Sequence, residues 1–362
     1  CKRLRIDAGT GKRKYSIIQA EDELAAIGMA IGAGWNGARA FTATSGPGIS
    51  LMQEFLGLAY FSEVPVVLFN IQRTGPSTGM PTRTQQGDLI SCAYASHGDT
   101  KHVLLFPATP KECFEDAASA FDIADRLQSP VILMSDLELG MNEQSCEDLH
   151  WDDKRDYDRG KVLNAEQLEE IERYGRYLDS DGDGIPYRTY PGTHESKGSY
   201  FTRGSSHDAY AAYTEDGNVY AEVMDRLTLK MKTALNFIPE PVISSSDGNK
   251  LGLVYLGTTQ SAIQEVLDGL AKKGVSIDTM RIRAFPFHDS VIDFINNHDL
   301  VYVIDQNRDA QLKSLLKIEC NASEDKMHSI LNYNGVLITA EQIETAVLDS
   351  MSEIENSEGV SA

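Results

Sequence analysis

A ligand site could be built from a few residues in the first part of the chain: Glu23, the turn Thr44-Ser45-Gly46, and Arg73 with Thr78. Glu23 sits inside Ala20–Ile31, where nearly every other inward candidate is Ala, Ile, Leu or Gly. A carboxylate in such company tends to have a raised pKa and can share a proton with a ligand. It can equally face solvent, like its neighbours Glu21 and Asp22, and periodicity leaves both open. Thr44-Ser45-Gly46-Pro47-Gly48 follows a strand and precedes a helix, where hydroxyls and backbone N–H groups can meet a ligand or simply make a tight turn. Arg73-Thr74-Gly75-Pro76-Ser77-Thr78-Gly79-Met80-Pro81-Thr82 leaves the C-terminal end of an apolar strand, the edge at which open α/β sheets bind ligands. A guanidinium there can grip a carboxylate through two parallel hydrogen bonds, with the nearby hydroxyls fixing its orientation. The plainer alternative is a surface loop with an ordinary salt bridge.

Three other motifs are weaker. Gly32-Ala33-Gly34-Trp35-Asn36-Gly37 fits the dinucleotide pattern G-x-G-x-x-G, but a helix precedes it and a strand follows, the reverse of what phosphate binding needs. Gly9-Thr10-Gly11-Lys12 resembles a P-loop, yet Ile6 stands where the first Gly belongs and Arg13 follows the Lys. Asp179-Ser180-Asp181-Gly182-Asp183-Gly184 matches the first half of a calcium loop, but Tyr190 occupies the position of its bidentate Glu. An Asp/Gly turn is the favoured reading. Gly182-Asp183-Gly184 also matches the start of a Mg²⁺–diphosphate anchor, but residues 206–214 contain no Asn to complete it.

These residues need elements to hold them. Helix is expected at Glu21–Gly32, Ile49–Tyr60, Leu89–His97 and Pro110–Leu127; strand at Ala40–Thr44, Val64–Asn70, Val103–Phe106 and Val131–Ser135. The alternation predicts a parallel α/β sheet. Residues 142–245 change character, with Tyr, Gly and Asp enriched and Pro186, Pro191 and Pro239 as breaks. An extended connector is expected there, with helix at Ala165–Tyr174 and Tyr220–Leu235. The rhythm returns with Leu251–Leu256, Gln260–Lys273, Ile277–Ile282, His288–Asn297, Leu300–Asp305 and Asp309–Ile318. The fold expected is α/β, two parallel-sheet domains joined by an irregular connector, divided at 1–145, 146–245 and 246–362.

Composition narrows the function. A net charge of −21 argues against nucleic acid or an anionic membrane as partner, since both need clustered Lys and Arg; it suits solubility or a partner's basic face. The longest apolar run, Val64–Phe69, is too short to span a bilayer, and no signal segment opens the chain, so the cytoplasm is expected. Cys1, Cys92, Cys113, Cys146 and Cys320 are scattered, with no C-x-x-C, so neither an iron–sulfur cluster nor structural zinc is expected on this chain.

The segments IQAEDELAAIGMAIGAGWNGARAFTATSGPGISLMQEF, RTGPSTGMPTRTQQGDL, SHGDTKHVLLFP, DGDGIPYRTYPGTH and RAFPFHDSVIDFINNHDLVYVIDQNRDAQL resemble the alpha subunit of 2-oxoacid:ferredoxin oxidoreductases. The similarity is greatest to the long form with a gamma-type domain fused ahead, and it runs from about Ile17 to about Ala346. The resemblance implies a thiamine-diphosphate pyrimidine-binding domain at 1–145 and a transketolase C-terminal-like domain at 246–362. It implies a beta subunit that supplies the Mg²⁺–diphosphate grip and an iron–sulfur cluster, with ferredoxin as acceptor and coenzyme A taking the acyl group from a 2-oxoacid such as pyruvate or 2-oxoglutarate. Residue by residue, it assigns Glu23 to the aminopyrimidine ring, Thr44, Ser45 and Gly46 to the cofactor, and Arg73 and Thr78 to the substrate. The family's Tyr-Pro-Ile-Thr-Pro segment has no counterpart ahead of Ile17, so the N-terminal part, with any gamma-type domain, is expected to be missing or on another chain.

Two other functions compete. A self-contained transketolase-type enzyme would need the diphosphate site in this same chain, and a calcium-responsive interaction module would need Asp179–Asp183 to bind the ion.

Overall fold

The computed structural model describes residues 6, 9–152, 154–246 and 248–359. Cys1 and most of the opening segment therefore lie outside the described residues, as does the extreme C-terminus.

The strands of the first sheet are β1 (Phe41–Thr44), β2 (Val66–Gln72), β3 (Val103–Leu105) and β4 (Pro130–Asp136). Short apolar runs buried on both faces make β2, β3 and β4, with the half-exposed β1 at the sheet's edge. Between them run α1 (Glu23–Trp35), α2 (Gly46–Phe61), α3 (Leu89–Ala93) and α4 (Pro110–Leu127), and α5 (Leu137–Met141) follows β4. Caps set several boundaries. Asp22 accepts from Ala25 N at 2.8 Å and starts α1 two residues later than expected, which leaves Glu21 outside the helix. Thr109 caps α4, Pro110 supplies its first turn, and Gln128 ends it in the left-handed conformation, so the expected bounds hold. α3 stops at Ala93, short of the expected His97, where the chain turns to place the buried His102 side chain against Ala95 O at 3.0 Å. α1 is apolar along most of its length but only partly buried. One face is, through Ile27, Ala30, Ile31 and Gly34, but Leu24 and Met29 are exposed.

α6 (Ala165–Glu170) and α7 (Gly217–Thr233) are the helices of the middle region. That region is irregular, as expected, but it is not a loose strap. Arg176, Tyr177, Ile185, Arg188 and His207 are buried in it, and α7 lays Leu227 and Lys230 against the first sheet's layer. Glu63, fully buried, receives Arg226 at 2.6 Å and Lys230 at 2.9 Å, while Arg176 donates to its backbone carbonyl at 2.7 Å.

The second sheet has β5 (Val242–Ser244), β6 (Leu251–Leu256), β7 (Asp278–Ile282), β9 (Leu300–Asp305) and β10 (Met327–Leu331), with β8 (Ala284–Phe285) between β7 and β9 in the chain. Its helices are α8 (Gln260–Lys272), α9 (Asp289–Asn297), α10 (Gln311–Cys320) and α11 (Ala340–Gly359). The strand orders are β1-β2-β4-β3-β8 and β10-β9-β6-β7-β5. Neither sheet is wholly parallel, because each ends in one antiparallel edge strand, β8 against β3 and β5 against β7. β8 is reached from the second sheet yet belongs to the first, pairing Leu104 with Phe285 and Leu105 with Ala284. β5 lies within the stretch expected as connector.

One apolar core crosses between the layers, joining Leu68, Leu104 and Phe106 to Met280, Phe285 and Val303. Arg281 closes the same seam with a two-bond contact to Glu112, both at 2.7 Å, and Arg283 reaches Asp116 at 3.3 Å. The two sheets are packed as one body.

Candidate active site

β1 and β2 are parallel neighbours, with Thr44 opposite Asn70, so the segments leaving their C-terminal ends emerge side by side. The first carries Thr44, Ser45 and Gly46, and the second carries Arg73. This is the ligand-binding edge of an open α/β sheet.

Glu23 occupies the first turn of α1 and is half-buried, between the two positions that periodicity left open. Its approach to Thr44 depends on Gly48. A Cβ at Gly48 would sit 3.0 Å from Thr44 Cβ and 3.1 Å from Glu23 Cγ, and it would run into the Thr44 hydroxyl oxygen. Only glycine lets the first turn of α2 pass so close to both side chains. Ser45 is the N-cap of α2, yet its side chain makes no capping hydrogen bond and its hydroxyl is not committed to the helix.

The second segment is a tied loop. Thr74 N donates to Arg83 O at 2.9 Å and Thr74 Oγ1 to Thr84 O at 3.1 Å, closing residues 75–82 into a projecting tip. Gly79 (φ +50°) lies against Thr74 O, where a side chain would collide. Ser77 (φ +54°) also has the left-handed conformation, an uncommon one for a residue with a Cβ. Arg73 stands at the root of the loop, half-buried, with Nε buried and without a hydrogen-bond partner. Thr78 is at the exposed tip.

A cavity of about 800 Å³ opens beneath, with Gly46, Pro47, Arg73, Ser77 and Asp88 on one side and Asn307, Arg308, Asp309 and Tyr333 from the second sheet's loops on the other. It brings Gly46 and Arg73 together. Glu23, Thr44, Ser45 and Thr78 are not on its wall; the first two meet at Gly48, in the same first turn of α2 as Gly46 and Pro47.

Sequence reasoning missed two parts of the wall. Asp88 accepts from Asn70 Nδ2 at 3.0 Å, and its Oδ1 would be 2.8 Å from a Cβ at Gly46, so it lies directly against the α2 turn. Burial pushes its carboxyl up from the ordinary range, and the Asn70 hydrogen bond partly opposes this. The only sequence signal is one acid at the end of the Gln85-Gln86-Gly87-Asp88 run. The other part, Asn307–Asp309, has no local signal. It is held by a polar seam in which Gln86 Nε2 donates to Asp136 and Thr258, each at 3.1 Å, and Asn307 Nδ2 donates to Gln86 O at 2.9 Å.

Elsewhere, the Asp179–Gly184 stretch is an Asp/Gly turn. Asp179 accepts from Gly182 N at 2.9 Å and Gly184 N at 2.8 Å, while Lys161 takes Asp181 and Asp183 at 2.8 and 2.7 Å. Gly32–Gly37 ends α1 and leads into β1. Among the described residues, no group of His, Cys, Asp or Glu is arranged to hold a metal ion, and no helix is long and apolar enough to cross a membrane.

Residues 5–196 match the family described as "Pyruvate flavodoxin/ferredoxin oxidoreductase, thiamine diphosphate-binding". The chain is 34% identical, over 95% of its length, to 2-oxoacid:ferredoxin oxidoreductase 1, subunit alpha, of Sulfurisphaera tokodaii, and covers 54% of that protein. It is 33% identical over 90% of its length to the 2-oxoglutarate synthase subunit KorA of Archaeoglobus fulgidus, covering 83% of it. Among solved structures, the 2-oxoglutarate:ferredoxin oxidoreductase from Magnetococcus marinus, with 2-oxoglutarate, coenzyme A and succinyl-CoA bound, superposes with a TM-score of 0.81 at 27% identity. That match covers 92% of this chain and 57% of that one. The chain thus spans about half the length of several of the curated relatives it matches. With a thiamine-diphosphate-binding segment over its first half and relatives named alike along nearly its full length, the chain belongs to the family of 2-oxoacid:ferredoxin oxidoreductase alpha subunits.

Proposed function

We propose that this chain is the thiamine-activating, substrate-reading part of a 2-oxoacid:ferredoxin oxidoreductase, which converts a 2-oxoacid to acyl-CoA and CO₂ and passes electrons to an iron–sulfur carrier. The observation that carries this reading is Arg73, a guanidinium at the C-terminal edge of a parallel sheet, on the wall of a cavity framed by loops of both sheets. A guanidinium so placed can grip a carboxylate that enters the cavity.

The residues fit the family's cofactor. Gly48 lets the first turn of α2 pack against both Glu23 and Thr44, which sets a carboxylic acid and a hydroxyl beside each other at this edge. Glu23 would hold the aminopyrimidine ring of thiamine diphosphate through a shared proton, with Thr44, Ser45 and Gly46 beside it. When bound, the cofactor supplies the nucleophilic carbon that adds to the substrate's carbonyl and the electron sink that lets CO₂ leave. Arg73 would hold the substrate carboxylate through two parallel hydrogen bonds, and Thr78 would close over it from the loop tip. Keeping the carboxylate fixed is a positioning task, which an ordered guanidinium performs well.

In this reading residues 1–145 form the pyrimidine-binding domain, 146–245 the connector and 246–362 the transketolase C-terminal-like domain. A beta subunit brings the Mg²⁺–diphosphate grip and the iron–sulfur cluster, a gamma-type domain or subunit completes the assembly, ferredoxin accepts the electrons, and the complex works in the cytoplasm. Leu24 and Met29 of α1 and Leu51 and Leu58 of α2 support a partner, being apolar and exposed on the helices that carry the site.

The test is reconstitution with the beta subunit, thiamine diphosphate, Mg²⁺, coenzyme A and a viologen dye. Glu23→Gln should slow 2-oxoacid-dependent dye reduction by about a hundredfold or more, the scale of a lost proton-transfer group. A wild-type rate in that variant would refute the role of Glu23, and turnover by this chain alone would refute the divided site.

A further inference from the structure

The cavity carries a second cation that the proposed reaction leaves unused. Arg308 stands on the wall contributed by the second sheet's loops, with its side chain 74% exposed. Its Nε and Nη2 donate to the adjacent Asp309 at 2.7 and 3.2 Å, and its Nη1 has no protein partner among the described residues. An exposed ion pair between such groups contributes little to stability, so the fold does not need Arg308 where it is.

Its position is nevertheless fixed. Asn307, just before it, donates to Gln86 O at 2.9 Å, and Gln311, just after it, donates to Gly87 O at 2.7 Å. Gln86 N in turn donates to Gln306 O at 2.9 Å. The segment bearing Arg308 is thereby tied from both sides to the segment that returns from the Arg73 loop. Between these ties, Ala310 (φ +50°) has the left-handed conformation, which a residue with a Cβ keeps only where its surroundings impose it. A volume of about 800 Å³ lies within the range of sites for whole cofactors or drug-sized ligands and exceeds what a short 2-oxoacid fills. One guanidinium at each side of such a space suits a ligand with two separated anionic groups.

We propose that Arg308 reads a second anionic group in this cavity, apart from the 2-oxoacid carboxylate that Arg73 holds. That group is either the far carboxylate of a dicarboxylic 2-oxoacid or a phosphate of the acyl-accepting coenzyme. Both offer the same chemistry, an oxyanion accepting from a guanidinium edge. The inference rests on the activity proposed for this site.

The experiment is steady-state kinetics of the assembled enzyme, with its beta subunit, for wild type, Arg308→Gln and Arg308→Lys. The substrates are 2-oxoglutarate and 2-oxobutyrate, each at varied coenzyme A. A rise of about tenfold or more in KM for 2-oxoglutarate alone, partly restored by Lys, supports the carboxylate source. The same rise in KM for coenzyme A with both substrates supports the phosphate source. If no KM changes, or if kcat falls equally with every substrate while all KM values hold, Arg308 reads no anion and the proposal is overturned. If wild type itself shows no 2-oxoacid-dependent reduction, the proposed activity fails first and the role of Arg308 falls with it.

Discussion

The junction around Glu63 and the cavity beside Arg73 treat charge in opposite ways. At the junction, Glu63 is fully enclosed and shared by Arg226 and Lys230, which also holds the left-handed backbone at Glu63 (φ +57°) and the α7 helix in place. At the cavity, Arg73 has a buried donor without a partner, and Arg308 leaves Nη1 unused. Glu63 is matched within the structure, although Arg176 beside it also keeps Nε and Nη1 buried without a partner, whereas the cavity's two guanidinium groups face open space. Access to the cavity is what distinguishes site from scaffold, since both regions are rich in arginine and carboxylate.

The comparison can be broken most forcefully at Glu63. Glu63→Ala leaves Lys230 and Arg226 buried against each other without a counter-charge, and unfolding should become easier by about 3–5 kcal/mol. Denaturant titration measures this, and a loss under about 1 kcal/mol would mean the junction tolerates open charge just as the cavity does. A pH profile sharpens the same side. His102, fully buried beside Tyr60, has its pKa lowered to about 4, first by burial, with the nearby Lys230 charge adding to the effect. The unfolded chain binds a proton near pH 6.5 that the folded chain refuses until about pH 4. Its contribution is therefore complete above pH 6.5 and is lost as pH falls between these values, by about 3 kcal/mol in all. His102→Gln should flatten that part of the profile; an unchanged slope would assign it to other groups. The smallest change in stability should come from Arg73→Ala, within about 0.5 kcal/mol or slightly favourable, because an unpartnered donor is removed. In the reconstituted enzyme the same variant should raise KM for the 2-oxoacid by about tenfold to a hundredfold. Destabilisation without a kinetic change would place Arg73 with the scaffold.

Elements with local start and stop signals were legible in the sequence. Thr109-Pro110 and Gln128 bound α4, and the six apolar-rich residues of β6 stand between polar loops. Gly46 and Arg73 were legible as candidates because each follows a strand, and Glu23 because it stands as an acid at the head of an apolar helix. What escaped depends on distant pairing. β8 has two residues and becomes a strand only by meeting β3, whose partners lie about 180 positions earlier in the chain. β10, half-exposed on a sheet edge, and the strongly acidic α11 lack the apolar runs that revealed the other elements. The wall formed by Asn307–Asp309 depends on hydrogen bonds to Gln86, which no local pattern encodes. Thr78 was read beside Arg73 but projects from the exposed tip, because spacing along a loop does not report which residues turn inward.

The crossing strand β8 has a consequence for dividing the gene. A break between residues 245 and 250 would separate the first sheet from the two residues that cover β3, and Glu112 and Asp116 from Arg281 and Arg283. Each fragment would expose unpaired strand backbone and unmatched charge, features that favour aggregation until the two pieces meet again. Fission of this gene at that point would therefore favour two pieces that complement each other over either piece alone.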